Sequence, residues 1–227
     1  MTKVRARVAG QGWAARSFYR LCRGIVIVFG RVWFRLSVNG RENVPVSGPY
    51  VVAPVHRSNL DTPLVGAAMP TRVRFMGKDS LWAKKAGGWF VTALGGFPVS
   101  RGSADREAMK RCFEMIEGGE PVVLFAEGER KSGPLVQPLY DGACYVAAKY
   151  RVPIVPVAVG GSERAMPKGA TFIRPRKIHV EIGTPITTAD RVPESGRVPR
   201  DTVRVLTAQL QGELQELFDR AQIKAGS

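Results

Sequence analysis

A chain of 227 residues with 44% hydrophobic and 23% charged residues has the composition of a folded domain, and its length is short for two independent cores. Thirty-four Lys and Arg residues against nineteen Asp and Glu residues give a formal charge of +15. This charge predicts an anionic partner: nucleic acid, an acidic lipid surface or a phosphorylated small molecule. The separated Cys22, Cys112 and Cys144 form no Cys-x-x-Cys pair, which argues against a disulfide framework or a zinc site and fits a reducing compartment.

The first predicted element is a helix from Arg16 to Leu36 with two contrasting sides. At 100° per residue, apolar side chains such as Ile25 and Phe29 share one side. Opposite to them, five arginines fall within roughly a third of the circumference: Arg16, Arg20, Arg23, Arg31 and Arg35. No uninterrupted apolar stretch approaches the roughly 20 residues of a membrane-spanning helix, and no stretch matches a secretory signal.

We therefore predict that residues 1–45 form a basic amphipathic segment lying in a membrane interface. The protein would then be peripheral and would sit on the cytoplasmic face of the cell membrane. The alternative is that the apolar side of this helix packs on the folded domain, with the arginines in solvent.

Residues 46–227 alternate between apolar runs and helical stretches, and several of the runs are continuously apolar, as in strands covered on both faces. This alternation predicts one α/β domain with a mixed, largely parallel sheet flanked by helices, plus the N-terminal amphipathic helical segment. The predicted strands are Tyr50–Val55, Arg72–Met76, Pro121–Ala126, Ile154–Val159 and Lys177–Ile182. The predicted helices are Asp61–Ala68, Leu81–Ala93, Ala104–Glu117 and Leu139–Tyr150. Apolar residues at helical spacing from Val203 to Leu217 predict a further, terminal helix docked on the domain.

The most informative motif follows the first predicted strand and reads His56-Arg57-Ser58-Asn59-Leu60-Asp61. An unperturbed imidazole has a pKa of about 6.5, so it can act as a base near neutral pH, and a carboxylate can hold it in place. Five positions along one helix would separate the two side chains by roughly 140°. A turn must therefore lie between His56 and Asp61 if they are to touch. The second histidine, His179, lies on a predicted strand, and we predict a structural role for it.

Three more blocks follow in order: Gly95–Arg101, Phe125–Arg130 and Val152–Val157. With the His56–Asp61 block, they resemble the four sequence blocks of the glycerolipid acyltransferases, the family of bacterial 1-acyl-glycerol-3-phosphate acyltransferases. The likeness runs from about Tyr50 to about Ile186, and its first and third blocks are the most specific. The fourth block carries no reactive group, and we predict a buried strand there.

The resemblance implies that His56 is the general base and that Asp61 accepts a hydrogen bond from the other ring nitrogen. A substrate hydroxyl would then attack directly, without a covalent acyl-enzyme. Ser58 matches the family pattern by position, and we assign it to the substrate site as a hydroxyl that orders the turn, with a role as nucleophile as the alternative. The absence of a Gly-x-Ser-x-Gly elbow argues against such a nucleophile.

An acceptor that carries a phosphate needs cations, and the guanidinium fork suits phosphate oxygens. By resemblance, Arg101 and Arg130 bind the glycerol-phosphate end of the acceptor. Gly128 allows a close approach of the backbone, while Glu127 orients the acceptor or the local loop. The alternative for each arginine is a solvated surface charge.

The third block departs from the family's usual Phe-Pro-Glu-Gly-(Thr/Ser)-Arg, since Ala126 and Glu129 replace two of its residues. Glu129 would repel a phosphate if it pointed inward, so we expect it to point away or to pair with Arg130 or Lys131. In the first block, Val55 replaces the common Asn. These changes leave open whether the acceptor is glycerol 3-phosphate, its 1-acyl form or another lysophospholipid.

The leading hypothesis is a peripheral membrane acyltransferase, with residues 46–227 as the acyltransferase domain. The acyl donor would be the thioester of coenzyme A or acyl-carrier protein, and 1-acyl-glycerol 3-phosphate the preferred acceptor. The resemblance implies no metal and no organic cofactor, and no nucleic-acid partner is expected. Two alternatives remain: a non-catalytic protein that binds anionic lipid or nucleic acid, and a thioesterase or lipid hydrolase in which water replaces the alcohol.

Overall fold

The structure is a computed structural model that describes residues 12–99, 104–193 and 197–226. Its strands are β1 Ser37–Asn39, β2 Val51–Pro54, β3 Arg74–Lys78, β4 Gly96–Val99, β5 Val122–Val123, β6 Ile154–Gly160 and β7 His179–Ile182. Its α-helices are α1 Trp13–Trp33, α2 Asp61–Ala68, α3 Lys85–Ala93, α4 Ala104–Glu117, α5 Gly142–Tyr150, α6 Ser162–Ala165 and α7 Arg200–Ala225. Short 3₁₀ turns occupy Arg41–Asn43, Asp79–Trp82 and Ala189–Arg191.

The described strands form one seven-stranded sheet in the order β1-β7-β6-β2-β5-β3-β4. The pairs are parallel except for β6 and β7, which run antiparallel. The predicted class, an α/β domain with a mixed, largely parallel sheet and an N-terminal helix, is confirmed. Strand β1 lies within the predicted 1–45 segment, yet it pairs with β7 at the edge of the domain's sheet.

The sheet has a hydrophobic core on each face. One core joins the sheet to α4, α5 and α7, and the fully buried leucines of α7 lie in it: Leu206, Leu210, Leu214 and Leu217. The other core joins the sheet to α2 and the end of α1. All seven residues of β6 are buried, which is the buried strand predicted for the fourth block. Burial on both faces explains why the central strands read as continuous apolar runs.

Helix α1 runs without interruption through Gly24 and Gly30, despite the low helix propensity of glycine. Part of its arginine side faces the domain, since Arg23 donates a hydrogen bond to Met69 O at a distance of 2.8 Å. Most of its apolar side is exposed, which differs from the alternative in which that side is buried. Phe18 on the same side nevertheless packs against Trp89 and Phe90 of α3, and four of the five arginines are exposed, as that alternative expects. The exposed apolar residues are Leu21, Ile25, Val28, Phe29, Val32 and Trp33. Within the described ranges, no helix combines the length and hydropathy needed to cross a bilayer.

The contact between β6 and α7 depends on the absence of a side chain at Gly160. A Cβ at this position would lie 2.1 Å from Ala221 O and 2.7 Å from Gln222 N, which are backbone atoms of α7. We therefore expect Gly160→Ala to lower the free energy of unfolding by about 1–3 kcal/mol, because overpacking forces backbone shifts. Urea unfolding measures this change.

Gly212→Ala is the matched control for that experiment, because Gly212 lies in α7 with open space around a Cβ. Alanine is favoured over glycine in a helix, so this variant should gain about 0.5–1 kcal/mol. Equal stability of the two variants would contradict the close contact between β6 and α7.

Candidate active site

The first and third blocks meet at the carboxyl ends of neighbouring parallel strands. His56 follows β2, and the segment that begins at Phe125 follows β5. Strand pairing continues into both segments: Val55 N donates to Val157 O and Leu124 N to Val52 O. Sites of open parallel sheets lie at this edge, because loops from adjacent strands converge there. The fold thus brings together two blocks that are about 70 residues apart in the chain.

His56 and Asp61 are in contact, with His56 Nδ1 3.1 Å from Asp61 Oδ2. Asp61 is the first residue of α2, while His56 lies before the turn that leads into that helix. The turn required by the spacing is therefore present. Because an ionised carboxylate only accepts hydrogen bonds, this contact suits the tautomer in which Nδ1 carries the proton and donates a hydrogen bond to Asp61 Oδ2. Nε2 is then left with its lone pair, and it can accept a proton from a substrate hydroxyl.

The Asp61 carboxylate is held by the backbone of the same turn. Its Oδ2 also accepts hydrogen bonds from Arg57 N at 2.6 Å and from Ser58 N at 2.7 Å. The side chain is fully buried, and a negative charge in the first turn of α2 faces the positive end of the helix dipole. This carboxylate is thus fixed in one orientation, and it fixes the imidazole in turn.

Phe125 supports the other side of the imidazole. Its ring stacks on His56 with 4.0 Å between ring centroids and 26° between the ring planes. The His56 side chain remains 16% exposed, whereas Asp61 has no exposure. Only the histidine of the pair is therefore open to a substrate. Phe125 begins the third block, but the sequence pattern alone gives it no role at the histidine.

Arg57, to which the sequence pattern gives no role, links the first block to the third. Its side chain is 1% exposed, and its Nη1 donates a hydrogen bond to Glu127 Oε2 at 2.7 Å. The same carboxylate oxygen accepts a hydrogen bond from His56 N at 3.1 Å, while Glu127 Oε1 accepts one from Gln137 N at 3.0 Å. Glu127 thereby orders the backbone of His56 and of the loop around Gln137. A buried acid in the third block needs a counter-charge, but with 34 Lys and Arg residues in the chain this need alone does not single out Arg57.

The remaining groups of the Arg57 side chain also find partners. Nε donates a hydrogen bond to Gly133 O, Nη2 donates one to Leu135 O, and Nη1 donates one to His56 O. The guanidinium carbon lies 5.0 Å from the ring centroid of Phe218 in α7. One side chain therefore joins the histidine, the third block, the following loop and the C-terminal helix.

Comparison with known proteins identifies the family to which this arrangement belongs. A family model described as Acyltransferase matches residues 35–160, which is more than half of the chain. The chain belongs to the Acyltransferase family. This match confirms the resemblance seen in the four blocks.

Named relatives agree with this assignment. A 1-acyl-sn-glycerol-3-phosphate acyltransferase of Bacillus subtilis is 28% identical over 173 residues, which cover 76% of this chain and 84% of that protein. A chloroplastic enzyme of the same name from Brassica napus is 30% identical over 144 residues, 62% of this chain but 42% of that protein. The crystal structure of a 1-acyl-sn-glycerophosphate acyltransferase from Thermotoga maritima has a TM-score of 0.72 and 22% identity, covering 89% of this chain and 80% of that one. The last likeness supports the fold.

In this acyltransferase, Ser58 is buried and its hydroxyl is used within the protein. Its Oγ donates to Met166 O at 2.8 Å and accepts Leu60 N at 3.2 Å. These are the contacts of a hydroxyl that orders the turn between His56 and Asp61. A direct contact of Ser58 with substrate stays a prediction.

The third block makes a tight turn at Gly128, whose φ is +72°. A Cβ there would lie 2.7 Å from the Tyr140 ring, so both the backbone conformation and the available space favour glycine. Arg130, which follows this turn, is half-buried, and Lys131 N donates to His56 O at 3.0 Å. Arg130 is thus close in the chain to a residue that touches the histidine. Contact of Arg130, Gly128 or Glu127 with the acceptor stays a prediction.

Glu129 pairs with Lys131, as one of the two expected arrangements requires. Lys131 Nζ donates to Glu129 Oε1 at 2.9 Å. This hydrogen bond lowers the pKa of the Glu129 carboxyl, which is exposed. The negative charge that Glu129 adds to the third block is therefore paired with a neighbouring lysine.

Arg101 lies outside the described residues, so its predicted role stays a prediction. His179 lies on β7, where Nδ1 is 2.7 Å from Ser37 Oγ and Nε2 is 2.6 Å from Glu181 Oε2. Burial lowers the pKa of His179. Both ring nitrogens have structural partners there. In the part of the chain that is described, no three His, Cys, Asp or Glu side chains come together as a metal-binding group.

Proposed function

We propose that this acyltransferase moves a fatty acyl group from a thioester, of coenzyme A or acyl-carrier protein, to the hydroxyl of a lysophospholipid. The preferred acceptor is 1-acyl-glycerol 3-phosphate, and its product is phosphatidic acid. The observation that carries this proposal is the contact between His56 and a buried, hydrogen-bonded Asp61. An imidazole held in this way has one open nitrogen, and acyl transfer to an alcohol needs one base.

In the proposed reaction, His56 Nε2 takes the proton of the acceptor hydroxyl as its oxygen attacks the thioester carbonyl carbon. Asp61 stabilises the imidazolium that forms. The tetrahedral intermediate then collapses, the carbon–sulfur bond breaks, and the imidazolium returns its proton to the leaving thiolate. The new ester and a free thiol are the products, and no bond to the enzyme forms at any step.

The acceptor assignment draws on the names of the relatives and on the cations of the chain. The Bacillus subtilis and Brassica napus relatives are both named for 1-acyl-sn-glycerol 3-phosphate. Arg130 stands at the end of the third block, near the histidine, and Arg101 follows β4 in the chain. Arginines in these positions suit a phosphomonoester, since the guanidinium fork matches its oxygens. In this proposal they bind the phosphate while Glu127 keeps the local loop in place.

Peripheral attachment to the cytoplasmic face of the cell membrane is the second part of this proposal. Helix α1 exposes an apolar side to solvent, from Leu21 to Trp33, and the chain carries a formal charge of +15. An amphipathic helix of this type binds at the level of the lipid headgroups. Near an anionic leaflet each Lys or Arg adds about 1 kcal/mol of attraction.

A panel of lipid acceptors tests the reaction. The purified full chain is supplied with acyl-coenzyme A or acyl-carrier protein thioester, together with glycerol 3-phosphate, 1-acyl-glycerol 3-phosphate or other lysophospholipids. Free thiol is measured over time, and mass spectrometry identifies the lipid product. We expect thiol release to depend on the acceptor and to be fastest with 1-acyl-glycerol 3-phosphate.

Each other outcome has a distinct meaning. Thiol release that is independent of the acceptor would identify a thioesterase. Absence of release across the whole panel, with vesicle binding retained, would favour a non-catalytic lipid-binding protein. Fast transfer to a different lysophospholipid would keep the reaction class and change the acceptor.

A further inference from the structure

An exposed segment from Thr171 to Lys177 carries apolar side chains into solvent. All seven of its residues are exposed, and Phe172 and Ile173 are 82% and 39% exposed. No helix or strand includes it, so it follows an irregular path between α6 and β7. An exposed Phe next to an exposed Ile costs solvation unless something covers both.

The same segment is strongly basic. Within it lie three cations, Arg174, Arg176 and Lys177, and Lys168 comes three residues before it, while no acidic residue occurs between Met166 and Ile178. Each of these four residues is exposed. Aromatic and aliphatic side chains flanked by Lys and Arg are typical of surfaces that lie at the headgroup level of an anionic bilayer.

The chain on either side of the segment is anchored to other parts of the protein. Five residues before Thr171, Met166 O accepts a hydrogen bond from the hydroxyl of Ser58, in the turn between His56 and Asp61. At the C-terminal end, Ile178 N donates to Phe34 O, directly after α1. The Phe34 ring packs edge to face on Phe29, with 5.5 Å between centroids, and Phe29 belongs to the exposed apolar side of α1.

We infer that Thr171–Lys177 is a second membrane-contacting element, which inserts Phe172 and Ile173 at the headgroup level while the arginines bind lipid phosphates. This inference rests on the proposed peripheral attachment through α1 and extends it to the rim of the active site. An anionic lipid surface fits better than an acidic carrier protein, because the segment presents apolar groups as well as charge. Ile178, directly after the segment, is also hydrogen-bonded to Phe34, which packs on the apolar side of α1.

The position of the segment gives it a function beyond anchoring. Met166, five residues before the segment, touches the turn that holds the catalytic pair, so a membrane bound along the segment would approach that turn. A lysophospholipid could then reach His56 from the bilayer surface without dissolving in water. Substrate in vesicles should therefore depend on this segment more than substrate in solution does.

Sedimentation with vesicles tests this inference. The full chain, a Phe172→Ser/Ile173→Ser variant and an Arg174→Gln/Arg176→Gln variant are mixed with phosphatidylcholine vesicles with and without phosphatidylglycerol. Since 1 kcal/mol per cation corresponds to about fivefold in affinity, the arginine variant should bind anionic vesicles at least about tenfold more weakly. We expect a loss of similar size in the Phe172→Ser/Ile173→Ser variant.

Matched controls come from the N-terminal part of α7, a helix whose buried leucines lie in the core on the other face of the sheet from Met166 and Ile178. Val205→Ser removes an exposed apolar residue there, and Arg200→Gln/Arg204→Gln removes two exposed arginines. These variants should bind vesicles as the wild type does. In the Phe172→Ser/Ile173→Ser variant, the ratio of turnover on acceptor in vesicles to turnover on a short-chain soluble acceptor should fall about tenfold.

The outcomes separate this inference from the proposed function. A wild type that transfers acyl groups and binds vesicles, with equal binding by the segment variants, would overturn the inference alone. A wild type without vesicle binding would overturn the proposed peripheral attachment as well. Unchanged vesicle binding combined with weaker binding of acyl-carrier protein would assign the segment to a protein partner instead, and would also overturn the inference.

Discussion

Replacing His56 by alanine is expected to lower kcat for acyl transfer by about 10²–10⁴-fold, the usual contribution of a general base. In the structure its Nδ1 is occupied by Asp61 at 3.1 Å, so the open Nε2 is the group whose loss matters. The variant removes the ring that stacks on Phe125 but leaves the surrounding backbone contacts possible. Folding and vesicle binding should therefore persist while turnover is lost.

Asp61→Asn tests the partner of the histidine separately. The amide keeps the size of the side chain but removes the charge that stabilises the imidazolium, so kcat should also fall by about 10²–10⁴-fold. Part of any loss in stability would come from Arg57 N and Ser58 N, which both donate to the Asp61 carboxylate. Circular dichroism and urea unfolding would measure that part, and rates are compared on the folded fraction.

Asn59→Ala is the control in the same turn, because Asn59 is exposed. It should keep kcat within about twofold of the wild type, since exposed substitutions usually have small effects. Near wild-type transfer by purified His56→Ala would show that the imidazole is not the base. A loss in Asn59→Ala as large as in His56→Ala would point to the turn as a whole rather than to its histidine.

The pattern of apolar runs predicted the central part of the fold, because strands covered on both faces must be apolar throughout. Residues 154–159 and 61–68 were assigned correctly as a strand and a helix. Strand β4 was missed, since Gly96 and Pro98 are poor strand residues, and β1 was missed because it has three residues. Both strands lie at the edges of the sheet, where the sequence pattern is weakest.

Several predicted elements have other bounds in the structure: the helix Leu139–Tyr150 begins at Gly142, the strand Arg72–Met76 becomes Arg74–Lys78, and the strand Lys177–Ile182 begins at His179. Two further differences arise because tertiary contacts override local preference. The predicted strand Pro121–Ala126 is reduced to Val122–Val123, since the residues from Phe125 turn away to support His56. The predicted helix Leu81–Ala93 begins at Lys85, after a separate 3₁₀ turn. Within that turn, the Trp82 indole donates to Thr92 Oγ1 at 2.8 Å and lies against Gly88. Such contacts join residues that a pattern along the chain does not relate.

The active site shows the same limit. A base and an acid five positions apart could be selected from the sequence, because the chemistry of each side chain is intrinsic and the turn between them is short. The partnership of Arg57 with Glu127 could not, because it joins positions 70 apart through the pairing of β2 with β5. The family resemblance gave Glu127 a role toward the acceptor or the loop. Its hydrogen bonds to the backbone of His56 and Gln137 support the role toward the loop.

The buried pair of Arg57 and Glu127 leads to the second large effect that we expect. Arg57→Met and Glu127→Gln should each lower the free energy of unfolding by about 3–5 kcal/mol, because each leaves an uncompensated buried group. The double variant Arg57→Met/Glu127→Gln removes both charges, so its loss should be clearly smaller than the sum of the single losses. Urea unfolding of the four proteins measures this coupling.

The exposed pair of Arg204 and Asp201 provides the comparison. These side chains are 3.6 Å apart and 76% and 92% exposed, and Arg204→Met should change stability by no more than about 1 kcal/mol. A loss in Arg57→Met no larger than this would mean that the buried pair adds little to folding.

Arg57→Lys separates the geometry of the guanidinium from its charge. Lysine keeps the positive charge for Glu127, but its ammonium cannot reproduce a fork that contacts His56 O, Gly133 O and Leu135 O together. If Arg57 positions the histidine, the folded fraction of Arg57→Lys should transfer acyl groups at least about tenfold more slowly, with little change in KM, since misplaced catalytic groups cost rate. Wild-type kcat in this variant would limit Arg57 to a role in stability, because charge alone would then be enough to hold Glu127 and the loop in place.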